Sequence, residues 1–502
     1  MMGEAEHLLD VHPQKKIPKS VYLIIGIMMI GAFLSMLNNT LLNVALPSIM
    51  NYFEVSTSTV QWLTTGYMLV NGILIPTSAY LLQKFSIRRL FLTAIFIFTL
   101  GTITAGFAPT FSILLVSRMI QAGGSAILMP LLMNYMLVSF PIEIRGRVMG
   151  MMGLVMFFAP AIGPTLSGWI LEHYDWEMLF HLLSPIGILI FIIGFIFIQD
   201  KKEKTVVPLD KISILLSSLG FGGVLYGCSS AGSLGWGHWE VVVSLTVGII
   251  CLLIFIFRQF RLETPLLEFR VFKYPMFSLS MVINAIFSTV LFSGMILMPI
   301  YVQNLRGVSP MDSGLLMLPG AIVMGLMSPI VGRLFDKIGA RILTIPGLII
   351  TVVTTYLFSQ LDFEASYGYL MMIYTIRMFG MSLIMMPVVT NGINQLPKRV
   401  NPHATAINST LQQVAGAVGS AFLITVMSMS TKNEIAESMQ QNANASQETI
   451  QQLTALATLH GINSAFFAAT ILAVVAVGLA CFIKRTTPIT ASVEEQIMNR
   501  KI

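Results

Sequence analysis

Two arginines, Arg118 and Arg377, sit well inside long apolar stretches of this 502-residue chain. A guanidinium within a membrane-length apolar segment is costly to leave against lipid, so it turns toward a cavity or a partner. The chemistry it offers there is the anchoring of a ligand or a transported ion. No Asp or Glu falls at the centre of an apolar stretch to complement them. Other chemistry is missing from the sequence too: there is no G-x4-G-K-[S/T] run to cradle ATP phosphates, no H-E-x-x-H pair and no His/Cys cluster at metal-ligand spacing. Cys228, Cys251 and Cys481 lie in apolar segments without C-x-x-C spacing, so neither a disulfide framework nor a metal site is expected. These absences argue against an enzyme and against ATP-driven pumping.

The elements that must position the two arginines are membrane helices. The chain is 55% hydrophobic and 10% charged, against about 25% charged in a soluble domain. A span needs about 20 apolar residues, and by that rule the chain has fourteen, near 21–45, 58–82, 90–107, 111–138, 147–171, 178–198, 212–230, 240–257, 277–302, 313–332, 342–359, 367–391, 404–428 and 464–483. The first is too long for the apolar core of a cleavable signal. Nearly all of the 29 Lys and Arg fall in the termini and in alternate loops; only Arg306 and Lys432 lie in the other set, with Arg118 and Arg377 inside spans. The positive-inside rule then puts both termini in the cytoplasm. The same loops account for the net charge of +6, which is no argument for nucleic acid.

A repeat organises the spans. Pro76, Ala79, Leu81, Gln83, Lys84, Ser86 and Arg88 recur at one fixed offset as Pro329, Gly332, Leu334, Asp336, Lys337, Gly339 and Arg341. Spans 1 and 2 therefore match spans 9 and 10, which predicts two parallel six-helix halves with an inserted pair between them, a duplication typical of transporters. The expected organisation is a tail at 1–20, a bundle at 21–198, a linker carrying two helices at 199–273, a second bundle at 274–485 and a tail at 486–502. Glycines in the repeated loop allow a tight turn, and Asp336 at a helix end can meet a helix N-terminus across the two halves and latch one conformation. Lys84 and Arg88 serve either that gate or topology alone.

These residues carry a resemblance. The loop signature G-x-L-x-D-R/K-x-G-x-R is complete at Gly332, Leu334, Asp336, Lys337, Gly339 and Arg341. Span 5 carries most of G-x8-G-x3-G-P-x2-G-G, as Gly150, Ala159, Gly163, Pro164, Ser167 and Gly168. Span 4 has Arg118-x-x-Gln121-x-Gly123. With these motifs the chain resembles the major facilitator superfamily, specifically its 14-span drug:proton antiporter branch of the EmrB/QacA type. The resemblance implies an all-α membrane protein with the major facilitator fold, fourteen helices as 6 + 2 + 6. It also implies proton-coupled multidrug efflux of lipophilic or cationic compounds, with Arg118 and Gln121 facing a central cavity and Arg377 as the counterpart in the second half. No cofactor is implied, the proton gradient being the driving force.

The chain departs from the family at span 1, where the usual L-D-x-T-x-x-N-V-A-L-P reads Leu37-Asn38-Asn39-Thr40 and Asn38 replaces a titrating acid. Proton coupling needs a group whose pKa moves between states, which leaves the acids near the outer mouth, Asp312 and Glu54, with His181 behind them. The expected partners are a lipophilic small molecule and the lipid bilayer, with the monomer as the working unit in a bacterial cytoplasmic membrane. An uncoupled facilitator or lipid-type flippase, and a non-transport sensor or scaffold on a transporter fold, are the alternatives. The outer loop near 430–463 is expected to carry a short capping helix through Ile450, Leu453, Leu456 and Leu459, and Asn444-Ala-Ser446 reads as a chance glycosylation match.

Overall fold

The computed structural model describes residues 18–199, 210–441 and 447–486. The tail acids Glu4, Glu6 and Asp10, most of the basic loop after span 6, the Asn444-Ala-Ser446 match and the C-terminal tail beyond residue 486 lie outside those residues. Among the described residues every regular element is a helix: α1 Lys19–Tyr52, α2 Thr57–Lys84, α3 Ile87–Gly106, α4 Phe111–Ser139, α5 Arg145–His173, α6 Met178–Phe197, α7 Lys211–Leu234, α8 Trp239–Arg261, α9 Pro275–Pro299, α10 Pro310–Ile338, α11 Ala340–Phe358, α12 Tyr367–Ser382, α13 Met385–Asn394, α14 Asn401–Gln441 and α15 Gln447–Ala480. Among the described residues thirteen helical segments are long and apolar enough to cross a bilayer, with α12 and α13 counting as one. The fourteenth expected span, α2, has the length but is diluted by Thr64, Thr65, Asn71, Thr77 and Ser78. It packs between α4, α7 and α14, so its polar residues need not meet lipid.

Two spans differ from the sequence expectation. Span 12 breaks into α12 and α13 at Leu383–Ile384, where Leu383 and Ile384 donate to the carbonyls of Gly380 and Met381 and tighten the turn. Pro387, at the start of α13, has no N–H for the preceding turn and clashes with a helical carbonyl there, which breaks the run. The expected outer loop near 430–463 is largely helix. Helix α14 continues to Gln441, and α15 takes in Ile450, Leu453, Leu456 and Leu459, so they form its first turns rather than a separate cap. Ser430 and Ser464 meet at 2.9 Å between the two extensions.

Helices α7 and α8 pack chiefly on each other, with α7 also against α2 and α14. Asp210 caps α7 and accepts from Arg258 of α8 at 2.8 and 3.1 Å. That guanidinium's hydrogen bonds hold the Asp210 carboxyl down at about 2, so the clasp between the inserted helices stays charged. The halves meet mainly along α5 and α10. There the backbones touch, because a Cβ on Gly332 would stand 2.2 Å from the Gly146 carbonyl oxygen and one on Gly150 2.5 Å from that of Ser328. Small residues let membrane helices approach this closely.

Gly163 serves the same purpose within the first half, packing on α1, where an added Cβ would meet Thr40 Oγ1 at 2.3 Å. Gly168 is looser, its nearest neighbour being Met311 at 3.8 Å. Gly163→Leu is expected to separate α1 from α5 and cut transport at least tenfold, whereas Gly168→Ala keeps it, as a vesicle uptake assay would read. Ser167 donates to the Leu41 carbonyl at 2.8 Å, so Ser167→Gly restores the family pattern yet gives up a hydrogen bond worth about 1 kcal/mol.

Candidate functional site

Between the halves lies a cavity of about 300 Å³, walled by α1, α2, α4 and α5 on one side and by α9, α13 and α14 on the other. Ten methionines line it, Met36, Met133, Met149, Met295 and Met385 among them. Thioether chains are polarizable and adopt many rotamers, which suits ligands of varied shape. Amides and hydroxyls punctuate this surface, including Ser35, Asn39, Thr40, Asn71, Asn408 and Gln412, and the wall contains no Asp, Glu, Lys, Arg or His. The arrangement can hold a lipophilic molecule of modest size and orient it by hydrogen bonds.

Arg118 stands directly behind this wall, fully buried. Its Nη1 donates to Asn38 Oδ1 and, at 2.7 Å, to Gln121 Oε1, and its Nη2 donates to Asn39 Oδ1 at 3.3 Å. The Tyr67 ring covers the guanidinium at 4.3 Å, and Gln121 passes the network on to Thr102 of α3 at 2.9 Å. The sequence-predicted residues Arg118, Gln121 and Asn38 thus come together, and Asn39 and Tyr67 join them to the cavity. Arg377 occupies the equivalent place in the second half. It is fully buried and donates to the Val290 carbonyl, to Ser293 Oγ at 2.9 Å and to Thr355 Oγ1 at 3.3 Å. Arginines on α4 and α12 therefore each reach across to α1 or α9, although Arg377 meets a backbone carbonyl and hydroxyls where Arg118 meets amides.

The cross-half hydrogen bonds gather at the end that carries the basic loops. Asp336 accepts from the backbone N–H of Gly146 at 2.8 Å and of Arg147 at 2.9 Å. Helix α5 has no side-chain cap of its own at Ile144, so Asp336 caps it from the other half, a carboxylate placed on the positive end of a helix dipole. Arg145 Nη1 donates to Asn394 Oδ1 at 3.1 Å, and Gln83 Nε2 to His403 Nε2 at 2.9 Å. The first-half loop thus still crosses to the N-terminal turn of α14, with an amide where its counterpart has an acid. These contacts tie the two halves together at the basic end.

Other predicted residues lie elsewhere. Lys84 donates to Tyr80 at 2.6 Å and Arg88 to the Phe195 carbonyl at 2.9 Å, both within the first half. Lys337 and Arg341 are exposed. Gly339 makes its turn at φ +83°, a conformation open to glycine, whereas Ser86 stays extended and caps α3, so the first copy needs no glycine there. Pro164 packs near Gly314 of α10. Asp312 is exposed and bound to its own cap, Ser309 Oγ donating to it at 2.8 Å. Glu54 is an exposed turn residue at φ +51°. Neither acid is in the cavity wall. Arg145 and His403 were missed by sequence reasoning, since both read as ordinary residues of the loop regions that set topology.

Residues 28–420 match the Major Facilitator Superfamily family model. The chain is 43% identical over 464 residues to the lincomycin resistance protein LmrB of Listeria monocytogenes, covering 92% of this chain and 96% of that protein. It is 26% identical over 396 residues to the multidrug export protein EmrB of Haemophilus influenzae, covering 78% of each. In fold it is similar to the crystal structure of the human organic anion transporter MFSD10, with a TM-score of 0.64 at 12% identity over 92% of this chain and 99% of that one.

Proposed function

The chain belongs to the major facilitator superfamily, and on that premise we propose that it is a multidrug exporter of lipophilic compounds powered by the proton-motive force. The observation that carries the reading is the methionine-lined cavity between the halves, together with relatives named for lincomycin resistance and multidrug export. Residues 21–198 and 274–485 are the two bodies that rock about the α5–α10 seam, and 199–273 carry the inserted pair. Arg118, Asn38 and Gln121 organise the site, and Asp336 latches the gate. The intact latch and seam favour a cycling transporter over a scaffold. The cavity wall is complete within one chain, which supports a monomeric working unit.

The test is accumulation of three lipophilic dyes, one anionic, one cationic and one uncharged, in bacteria expressing the protein. Expressing cells are expected to hold several-fold less of at least one dye than controls and to lose the difference when an uncoupler is added; equal accumulation of all three with and without the protein would overturn the reading. We assign the basic end to the cytoplasm of a bacterial cell by the positive-inside rule, with both termini on that side. A cysteine introduced at the exposed Gln451 should then react with an impermeant maleimide in intact cells, and labelling only after lysis would reverse the assignment.

A further inference from the structure

We propose that the cavity is built for lipophilic compounds carrying a negative charge, and that the membrane potential acting on that charge drives their export. This rests on the efflux reading and names its substrate class and the component of the driving force.

The wall holds no ionisable side chain apart from Tyr67, whose ring is committed to the Arg118 guanidinium. Arg118 is fully buried directly behind the wall, and Arg377 is fully buried in the other half; among the described residues neither is in an ion pair, the pairs being found elsewhere, as at Asp210–Arg258, Glu268–Arg270 and Glu434–His460. The partners of Arg118 are neutral amides, and its Nε has no hydrogen-bond acceptor. Uncompensated charge in an apolar surround acts over long distances because little solvent screens it. The cavity therefore sits at positive potential, which repels a cation and draws an anion.

The amides transmit that preference. Asn39 gives its carbonyl oxygen to Arg118, so the group it has left for the cavity is its N–H2, a donor. A carboxylate or sulfonate would accept from it while facing the guanidinium behind.

The same charge count bears on energy supply. A transporter that exchanges a neutral or cationic drug for protons needs a titrating group, and neither the cavity wall nor the partners of Arg118 include an Asp, Glu or His. An anion leaving a cell with a negative interior needs none: each 100 mV sustains about a 50-fold concentration ratio for a single charge.

The experiment uses the full-length protein in liposomes at equal pH on both sides, with a potassium diffusion potential set by valinomycin. The probes are 8-anilinonaphthalene-1-sulfonate, ethidium and Nile red. An inside-negative potential is expected to speed protein-dependent sulfonate exit at least tenfold, with no protein-dependent movement of ethidium. Arg118→Lys should keep potential-driven sulfonate exit at a reduced rate. Arg118→Gln should lose it at least tenfold while the purified variant keeps the yield and monodisperse elution of the unaltered protein. Exit of ethidium without the sulfonate, or sulfonate exit that follows a pH gradient and ignores the potential, would overturn the proposal and leave efflux standing. If no probe moves under either gradient, the efflux reading falls and takes this one with it.

Discussion

Replacing Arg118 with alanine is expected to abolish transport while leaving expression near normal. The substitution removes the donor on which three amides, Asn38, Asn39 and Gln121, converge. Each carbonyl left unpaired in a buried site costs about 1–3 kcal/mol, so the amides will swing and the cavity wall at Asn39 will lose its shape. Arg118→Lys should recover part of the activity, because an ammonium keeps the charge but not the planar fork that serves three acceptors. Arg377→Ala should behave differently. That guanidinium is tied to the Val290 carbonyl and two hydroxyls away from the wall, so the expected loss is in yield and melting temperature. Dye efflux normalised to protein level separates the two, and full activity in Arg118→Ala would make that arginine purely architectural.

The second large effect is expected at Asp336. Its two oxygens accept from the first amides of α5 across the halves, and Asp336→Ala leaves both donors without that acceptor. Losing about 2 kcal/mol from the closed state shifts the equilibrium between closed and open forms about 30-fold. The cost should appear as slower export and as faster modification, from the basic side, of a cysteine placed at Met149 in the cavity wall. Asp336→Asn should fall between, since one oxygen remains an acceptor while the amide N–H2 faces a donor. An unchanged modification rate in Asp336→Ala would mean that this contact does not hold the gate.

The spans were legible in the sequence because apolar length is a one-dimensional signal, and the repeat was legible because duplication preserves spacing. The break before Pro387 and the extension of α14 were not. A proline in a membrane helix is tolerated or breaks it according to its neighbours, and the polar residues after Met429 read as loop when no partner helix is in view. At the site, sequence reasoning identified Arg118 by the cost of burying a charge. It did not show that Asn38, some eighty positions away in the chain, would be its partner. The methionine cavity was hidden for a related reason: methionine serves lipid-facing and cavity-facing positions alike, and only the rotation of each helix decides which. Asp312 and Glu54 were candidates because they lie near span ends; the structure shows one bound to its N-cap serine and the other in a turn, both exposed.

Helix α14 has one further consequence. Its 41 residues amount to about 60 Å of helix, roughly twice the hydrocarbon core of a bilayer. It carries His403 at the contact with Gln83 and Asn408 in the cavity wall, and at twice the thickness of the hydrocarbon core its far end, with the start of α15, has to reach past that core on the side opposite the basic loops. A rigid rod that runs from the basic end past the cavity in one piece is a handle: a binding protein that gripped its far end would hold the transport cycle still without ever competing for the drug.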